Sequence, residues 1–391
     1  MQFLFSWFER RLPPYPSREP VAPPTSLLRF VWQMTRGARG YLLGMAVLSA
    51  LVSMYEVFLF ATLGRVVDWL AASTRDTLLQ DFGSQLGWLT GIMLASIVVV
   101  GLQTIFKHQA LAINFPMRLR WNFHRLMLGQ SMAFYAEEFA GRITTKIMQT
   151  ALAVRDMLFT TTDVVIGMGT YMITILLLAG GFDLRLMLPF ALWAVSYLLA
   201  CWYFVPKLGQ VSKAQANARA AMTGRITDAY ANIGTVKLFA HTQREAGFAR
   251  AAMDDFRATG YQQMRLVSRF EIVNQIMMVL LILSATGLSL WLWTRGEVGT
   301  GAVAAVSAMA LRLTGMSHWV MWEMTMLFEN VGTIQDGMQT LSRPRTVVDA
   351  DNARQLEVSQ GEVRFERVSF SYRAGLAPVI DGLDLVIRPG E

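Results

Sequence analysis

Several ionisable side chains occur inside, or at the edges of, long apolar segments of this chain, among them Glu56, Arg312, His318 and Glu323. A charge near the centre of a bilayer costs at least about 2.5–3.5 kcal/mol, so such residues usually face a helix bundle or a wet cavity. We expect Glu56, Arg312 and His318 to line a cavity for translocation. The alternative is that they join neighbouring helices, and that Glu323 only marks the end of a span. His318 has no partner at ligand spacing, so we expect no metal site.

Other kinds of chemistry have little support in the sequence. A single cysteine, Cys201, excludes a disulfide framework or a cysteine metal cluster. No G-x-x-x-x-G-K-[S/T] loop occurs, so residues 1–391 supply no cradle for phosphates and no hydroxyl for magnesium. We therefore expect no ATP hydrolysis and no tight ATP binding by these residues alone. The net charge of +7 comes without a nucleic-acid-binding motif, so nucleic acid is not an expected partner.

The composition points to a membrane. The chain is 53% hydrophobic and 16% charged, whereas soluble domains average about 25% charged residues. A bilayer-spanning helix needs about 20 apolar residues. Segments of this kind predict six spans: Tyr41–Leu63, Leu86–Phe106, Met157–Gly180, Leu184–Val205, Ile272–Trp293 and Ala302–Met324.

Lys and Arg predict the orientation of these spans. Most of them lie in or near the N-terminal arm, residues 1–25, and in the segments 107–156 and 206–270. The opposite side carries only Arg65, Arg75, Arg185 and Arg295. Excess positive charge marks the cytoplasmic side. The sequence therefore predicts a multi-pass protein of the cytoplasmic (inner) membrane with both termini in the cytoplasm.

Glycine and proline predict two local features of the spans. Gly83, Gly87 and Gly91 form a ladder of small residues that favours close helix packing. Pro189, near the start of the fourth span, predicts a kink.

The segments 107–156 and 206–270 are polar but keep a helical pattern. Leu119, Phe123 and Leu126 recur at helical spacing, and the segments are rich in strong helix formers. A pair of antiparallel helices of about 25 residues in each segment would reach about 35 Å beyond the membrane. Such rods are expected to touch a cytoplasmic partner. Disordered loops are the alternative, which the apolar content disfavours.

The composition changes after Arg343-Pro344. Residues 361–370 alternate apolar and charged side chains, as in a half-buried strand, and residues 379–387 form a second strand candidate. We expect four parts: an N-terminal arm (1–25), a six-helix membrane domain (26–343), a linker (344–360) and the start of a sheet-containing domain (361–391).

Three segments, in this order, carry a family resemblance. They are FYAEEFAGRI at 134–143, ANIGTVKLFA at 231–240 with Glu245 and Phe248 downstream, and VSFSY at 368–372 with RPGE at 388–391. With them the chain resembles the type IV ABC exporters, the multidrug and lipid-exporter superfamily. The resemblance implies six transmembrane helices with long cytoplasmic extensions, followed by the first β-strands of an α/β ATP-binding domain.

The resemblance also implies site residues. The first two segments would be coupling regions, with short helices near Tyr135–Ala140 and Phe239–Ala246 that dock on nucleotide-binding domains. Their candidate residues are Tyr135, Ala136, Glu137, Glu138, Phe139, Phe239, Ala240, His241 and Glu245. Tyr372 stands where the family stacks adenine, and an aromatic face on a base is worth about 1–3 kcal/mol. The alternative is that Tyr372 only packs against its own sheet.

The function that the resemblance implies is that of one half of an ATP-driven exporter. ATP and Mg would act in the full-length protein, whose phosphate loop in the family begins a few residues beyond Glu391. The expected partners are a second half-transporter, identical or different, nucleotide-binding domains, membrane lipid and an exported drug, lipid or peptide. Two other functions stay open: an ion-coupled secondary transporter, and a truncated membrane scaffold or regulatory subunit without transport.

Overall fold

The computed structural model describes residues 2–137, 140–239, 242–348, 352–353, 357–358, 361–371 and 377–391. The chain divides into two compact units, Met1–Pro344 and Arg345–Glu391.

Helices account for nearly all of the first unit. Their bounds are α1 Gln2–Glu9, α2 Leu27–Met34, α3 Arg39–Ala72, α4 Leu78–Ile105, α5 Asn114–Leu128, α6 Met132–Glu137, α7 Ala140–Thr160, α8 Gly169–Phe182, α9 Met187–Ala231, α10 Ile233–Leu238, α11 Thr242–Thr294 and α12 Thr300–Leu341. Two π-helical stretches, Phe106–Ala112 and Thr161–Met168, join α4 to α5 and α7 to α8.

Five helical segments within the described residues are long and apolar enough to cross a membrane. They are Arg39–Ala72, Leu78–Leu128, Gly141–Phe182, Leu184–Ala231 and Thr242–Thr294. Each contains one of the first five predicted spans. The sixth predicted span, 302–324, lies within the 42-residue helix α12, which is not one of these five segments, and it stays a prediction.

The polar segments between spans are helical, as their periodicity predicts. In α5, Leu119, Phe123 and Leu126 are all nearly fully buried and lie on one face. Helices α9 and α11 pack along each other, and Gln263 donates a hydrogen bond to Ser212 at 3.1 Å. Their polar parts extend the fourth and fifth spans without interruption, by about 40 Å at 1.5 Å per residue.

Two apolar clusters hold the first unit together. One surrounds the fully buried Tyr171, Phe190 and Phe270, from α8, α9 and α11. The other surrounds Phe30, Phe115 and residues of α5, α7 and the N-terminal arm. The helices therefore have a packed core both among the spans and beyond them.

The N-terminal arm lies along α5 as a proline-rich strap, residues 10–24. Side chains of α5 donate hydrogen bonds to its backbone carbonyls: Arg118 to Pro13, Trp121 to Pro16, and Arg125 to Pro16, Ser17 and Arg18. Leu12 is 1% exposed. At the far end of the strap, Ser342 donates to the carbonyl of Pro24 at 3.3 Å. The arm is thus an ordered part of the membrane-spanning unit.

Short connections join the third predicted span to the fourth and the fifth to the sixth. Asp183 begins the turn before α9, and its carboxylate accepts hydrogen bonds from the backbone N–H and the guanidinium of Arg185. These bonds favour the charged form and lower the pKa of Asp183 to about 2. Arg185 also pairs with Glu297, which lies between α11 and α12. Two neighbouring connections are therefore tied together.

Two local predictions are wrong. Pro189 lies in the first turn of α9, where a missing N–H costs no helical hydrogen bond, while Pro206 occupies the helix interior. A Cβ added at Gly83, Gly87 or Gly91 would meet nothing within 4 Å. The glycine ladder therefore makes no close helix contact within the described residues.

The second unit contains an antiparallel strand pair, β1 Val363–Phe370 and β2 Ile380–Ile387, as predicted. The register is irregular around Val368. There Arg367 adopts a φ of 47°, and its backbone N–H donates to the Asp384 carboxylate at 2.8 Å. This hydrogen bond compensates for a ladder bond that the irregularity interrupts.

Candidate functional site

A close contact between α3 and α12 positions the charged residues of the spans. A Cβ on Gly64 would lie 2.5 Å from the carbonyl oxygen of Gly301, so glycine permits the approach. Asp68 strengthens the contact, because its carboxylate accepts hydrogen bonds from the backbone N–H of Gly301 at 2.7 Å and from Thr300 at 3.2 Å. The two acceptor bonds lie at the N-terminus of α12, where negative charge is favourable.

Further along the same two helices, Glu56 and Arg312 form an ion pair with an N–O distance of 3.1 Å. Both side chains are about two fifths exposed, at 37% and 43%. They line a cavity of about 350 Å³. The sequence singled out both residues separately, and the structure joins them as partners in one cavity.

The cavity wall combines polar and apolar groups from four membrane segments. Its polar side chains are Ser49, Ser53, Glu56, Gln103, Asp163 and Arg312. Met168, Met316 and Trp319 supply the apolar part. Such a wall suits a solute that has both an apolar body and polar or charged groups.

Two further residues beside this cavity were not among the site residues predicted from the sequence. Lys107 and Asp163 form a salt bridge between the two π-helical stretches, and both are less than a third exposed. Asp163 falls inside the predicted third span, so the rule that selected Glu56 also applies to it. Lys107 directly follows the predicted end of the second span. π-Helical turns are frequent at functional sites, which fits their position beside the cavity.

His318 lies outside the lining of this cavity. The ring Nδ1 of His318 is 3.4 Å from Nδ2 of Asn274 on α11, and the same Asn274 group donates to Ser317 at 2.9 Å. Glu323 accepts a hydrogen bond from Thr160 at 2.8 Å. Both ionisable groups therefore contact polar groups on neighbouring helices, which was the alternative prediction for His318; for Glu323 the alternative was the end of a span.

The first predicted coupling region contains the short helix α6. Within it, Phe134 is buried, and Tyr135 donates a hydrogen bond from its hydroxyl to the carbonyl of Met127 at 2.8 Å. Ala136 and Glu137 complete the helical backbone. Glu138 and Phe139 lie outside the described residues.

The second predicted coupling region contains the short helix α10, between the ends of α9 and α11. It begins six residues before the position predicted from the sequence, because Asn232 ends α9 and the chain turns there. Its apolar side chains are exposed: Ile233 to 44%, Leu238 to 81% and the following Phe239 to 61%. Ala240 and His241 lie outside the described residues, and Glu245 is half-buried in the first turn of α11.

Tyr372 lies outside the described residues, so its stacking on adenine stays a prediction. The neighbouring residue Ser371 follows β1 directly.

Comparison with known proteins identifies the architecture. The profile of the ABC transporter transmembrane region matches residues 42–316, more than two thirds of the chain. The chain belongs to this family. Its fold resembles a bacterial Atm1-family ABC exporter solved with ATP bound, with a TM-score of 0.67, 17% sequence identity, and coverage of 90% of this chain and 61% of that chain.

Relatives in sequence carry ABC transporter names. An uncharacterized ABC transporter ATP-binding protein of Haemophilus influenzae is 45% identical over 99% of this chain and 63% of its own length. The multidrug resistance-like ATP-binding protein MdlA of Escherichia coli is 20% identical over 92% of this chain and 60% of its own length. The chain thus spans less than two thirds of the length of these relatives.

Proposed function

We propose that this ABC family chain is the membrane-spanning part of an ATP-driven exporter. The observation that carries the proposal is the exposed apolar tip at α10, at the end of the paired helices α9 and α11. Ile233, Leu238 and Phe239 expose apolar surface there, far from the spans. Such a surface suits a protein partner, and the relatives named as ATP-binding proteins support a nucleotide-binding domain as that partner.

ATP chemistry belongs to the whole protein in this proposal, rather than to residues 1–391. Tyr372 would offer a face to adenine, and the other groups for ATP and Mg would come from the rest of a nucleotide-binding domain. ATP binding would draw two such domains together, those of this chain and of an identical or different second half. The tips at α6 and α10 would transmit this movement to the spans.

The cavity at Glu56 and Arg312 is the proposed place of the solute. A carboxylate and a guanidinium that pair in the empty cavity can each find a new partner on a solute with opposite charges. ATP-driven movement would then change the side from which this cavity is open, so that alternate packings of the helices carry the solute across. The solute itself would be a drug, a lipid or a peptide.

The function is tested with the full-length protein in proteoliposomes whose nucleotide-binding side faces outward. Uptake would be measured for ethidium, an NBD-labelled phospholipid and a fluorescent peptide, with either Mg-ATP or an imposed proton or sodium gradient. We expect uptake of at least one probe with Mg-ATP alone. Uptake that follows the ion gradient and ignores ATP would favour a secondary transporter, and hydrolysis without uptake of any probe would favour a regulatory subunit.

In the same proteoliposomes, Phe239→Ala is expected to uncouple probe uptake from ATP hydrolysis. Removal of the ring takes apolar surface away from the α10 tip, so probe uptake per ATP hydrolysed should fall, while nucleotide binding is retained. Tyr261→Ala is the matched control, because Tyr261 is also an exposed aromatic residue, at 58%, but lies on the shaft of α11. An unchanged ratio of uptake to hydrolysis in Phe239→Ala would contradict the proposed role of this tip.

A further inference from the structure

Helix α1, Gln2–Glu9, has two apolar faces, and among the described residues one of them is buried against the protein while the other is exposed. Phe8 is 8% exposed, and its ring lies 5.3 Å from the ring of Phe106, measured between centroids. Phe5 packs against the same apolar cluster. This inner face fixes α1 against the π-helical stretch that follows α4.

The aromatic contacts place α1 at the level of the membrane surface. Phe106 also contacts Tyr41, with ring centroids 6.0 Å apart. These two residues are the predicted end of the second span and the predicted start of the first, and Lys107 follows Phe106 directly. Aromatic and basic residues at span ends are typical of the interface between hydrocarbon and water. Phe8 therefore lies at the depth of this interface.

The outer face of α1 is apolar and exposed. Phe3 is 83% exposed, and Leu4 and Trp7 are both 44% exposed. At about 100° per residue, these three side chains fall within an arc of about 100° on the helix. In the part of the chain that the structure describes, Phe3 thus stays largely uncovered, and Leu4 and Trp7 are partly exposed beside it.

Positive charge follows this apolar face. Arg10 and Arg11 are exposed just after the helix, and the Arg11 guanidinium lies 4.0 Å from the centroid of the Trp7 ring. The arm is held in place, because Asn114 donates a hydrogen bond to the carbonyl of Glu9 at 2.7 Å and Leu12 is buried. The apolar face and the two arginines are therefore held together at one position on the protein.

We propose that α1 is an anchor for anionic phospholipid at this interface. Phe3, Leu4 and Trp7 enter the boundary between headgroups and acyl chains, while Arg10 and Arg11 contact lipid phosphates. A helix with an apolar face and adjacent arginines binds such a surface through burial of its apolar side chains and through attraction between the arginines and the lipid phosphates. Lipid fits better than a protein partner, because the bilayer is the surface that meets the spans at this depth.

The test uses the full-length protein in lipid nanodiscs, with Cys201→Ala as background. A nitroxide spin label is attached at Phe3→Cys, and a control label at Glu9→Cys, which is also exposed but lies outside the apolar arc. Power saturation then measures collisions with oxygen, which concentrates in lipid, and with nickel-EDDA, which stays in water. The discs contain either phosphatidylcholine alone or a mixture with phosphatidylglycerol.

We expect the label at Phe3 to collide mainly with oxygen and the label at Glu9 mainly with nickel-EDDA. The preference at Phe3 should be stronger in the phosphatidylglycerol mixture. Arg10→Gln with Arg11→Gln should remove that difference, since each basic residue near an anionic surface changes the binding constant by about fivefold.

Two results would overturn the proposal. Frequent nickel-EDDA collisions at Phe3 in both lipid mixtures would show that the outer face lies in water. Low collision rates with both reagents would show that a protein surface covers it.

Discussion

At the residue scale, Glu56 and Arg312 form the ion pair in the wall of the cavity. Each charge faces its partner at 3.1 Å within a bundle of apolar helices. Removing one member leaves the other charge without its partner at a cavity wall among apolar helices, which should cost more than removing both. The effect of this ion pair on the stability of the protein can therefore be measured without knowing the solute.

We predict that Glu56→Gln or Arg312→Gln alone lowers the thermal unfolding midpoint more than the double variant does. The coupling energy between the two changes should fall at about 0.5–3 kcal/mol. Scanning calorimetry or a thermal shift assay in nanodiscs measures it. Asp254→Asn is the control, since Asp254 pairs with Arg257 on the exposed part of α11 and such surface pairs contribute about 0–1 kcal/mol. Additive effects of the two cavity variants would show that the ion pair is energetically unimportant.

At the element scale, the cavity depends on how closely α3 and α12 approach. Gly64 and Gly301 allow backbone to meet backbone, and Asp68 fixes the start of α12 beside them. This contact sets the register in which Glu56 meets Arg312. Helix packing through small residues is the usual way in which helices come close in a membrane.

We predict that Gly64→Ala forces α3 and α12 apart and destabilises the protein by about 1–3 kcal/mol, as overpacking does. The added Cβ would lie 2.5 Å from the Gly301 carbonyl oxygen, which is backbone and cannot turn away. Thermal unfolding in nanodiscs is the measurement. Gly287→Ala on α11, where a Cβ meets nothing within 4 Å, is the matched control and should be neutral or stabilising. Equal effects of the two alanines would contradict the close contact.

The sequence predicts these elements better than it predicts their contacts. Hydropathy locates the spans, and the spacing of Leu119, Phe123 and Leu126 indicates the helix beyond them, because both signals are local. Gly83, Gly87 and Gly91 have the spacing typical of close helix packing and Gly64 does not, yet of these four glycines only Gly64 lies against another described helix. Which glycine meets which neighbour depends on packing between distant segments, and no local pattern contains that information.

In the candidate site, too, the sequence predicts which residues are unusual better than it predicts which residues they contact. Glu56 and Arg312 stand out because charge is costly in an apolar segment, but their pairing joins residues 256 positions apart in the chain. His318 has the same sequence signal and instead lies by Asn274. The short helix α10 begins earlier than predicted, because α9 ends just before Asn232 and the chain turns there. The apolar residues that follow do not reveal this turn.

At the scale of the whole molecule, the distribution of Lys and Arg predicts the orientation in the membrane. The tip at α10 should lie in the cytoplasm, and the turn between α3 and α4 on the opposite side. Among the described helices, α3 and α4 are joined by a short turn, and α9 and α11 are joined through α10 at the end of their long polar parts. This difference is expected if the two connections lie on opposite sides of the membrane.

We predict that an impermeant maleimide labels Asp76→Cys in intact cells and does not label Leu238→Cys, each in a Cys201→Ala background. Leu238 is 81% exposed, so failure to label it would reflect the membrane barrier rather than burial. Labelling of both sites after the cells are permeabilised is the control. The reverse pattern would invert the orientation.

The proline-rich strap has a consequence for the order of events during synthesis. Residues 10–24 are made before the α5 side chains that bind them, which come about a hundred residues later, and Ser342 follows Pro24 by 318 residues. At about 5–20 residues per second, Pro24 waits about 16–64 s for that partner. The end of the strap at Pro24 is therefore fixed only after all of α12 has been made.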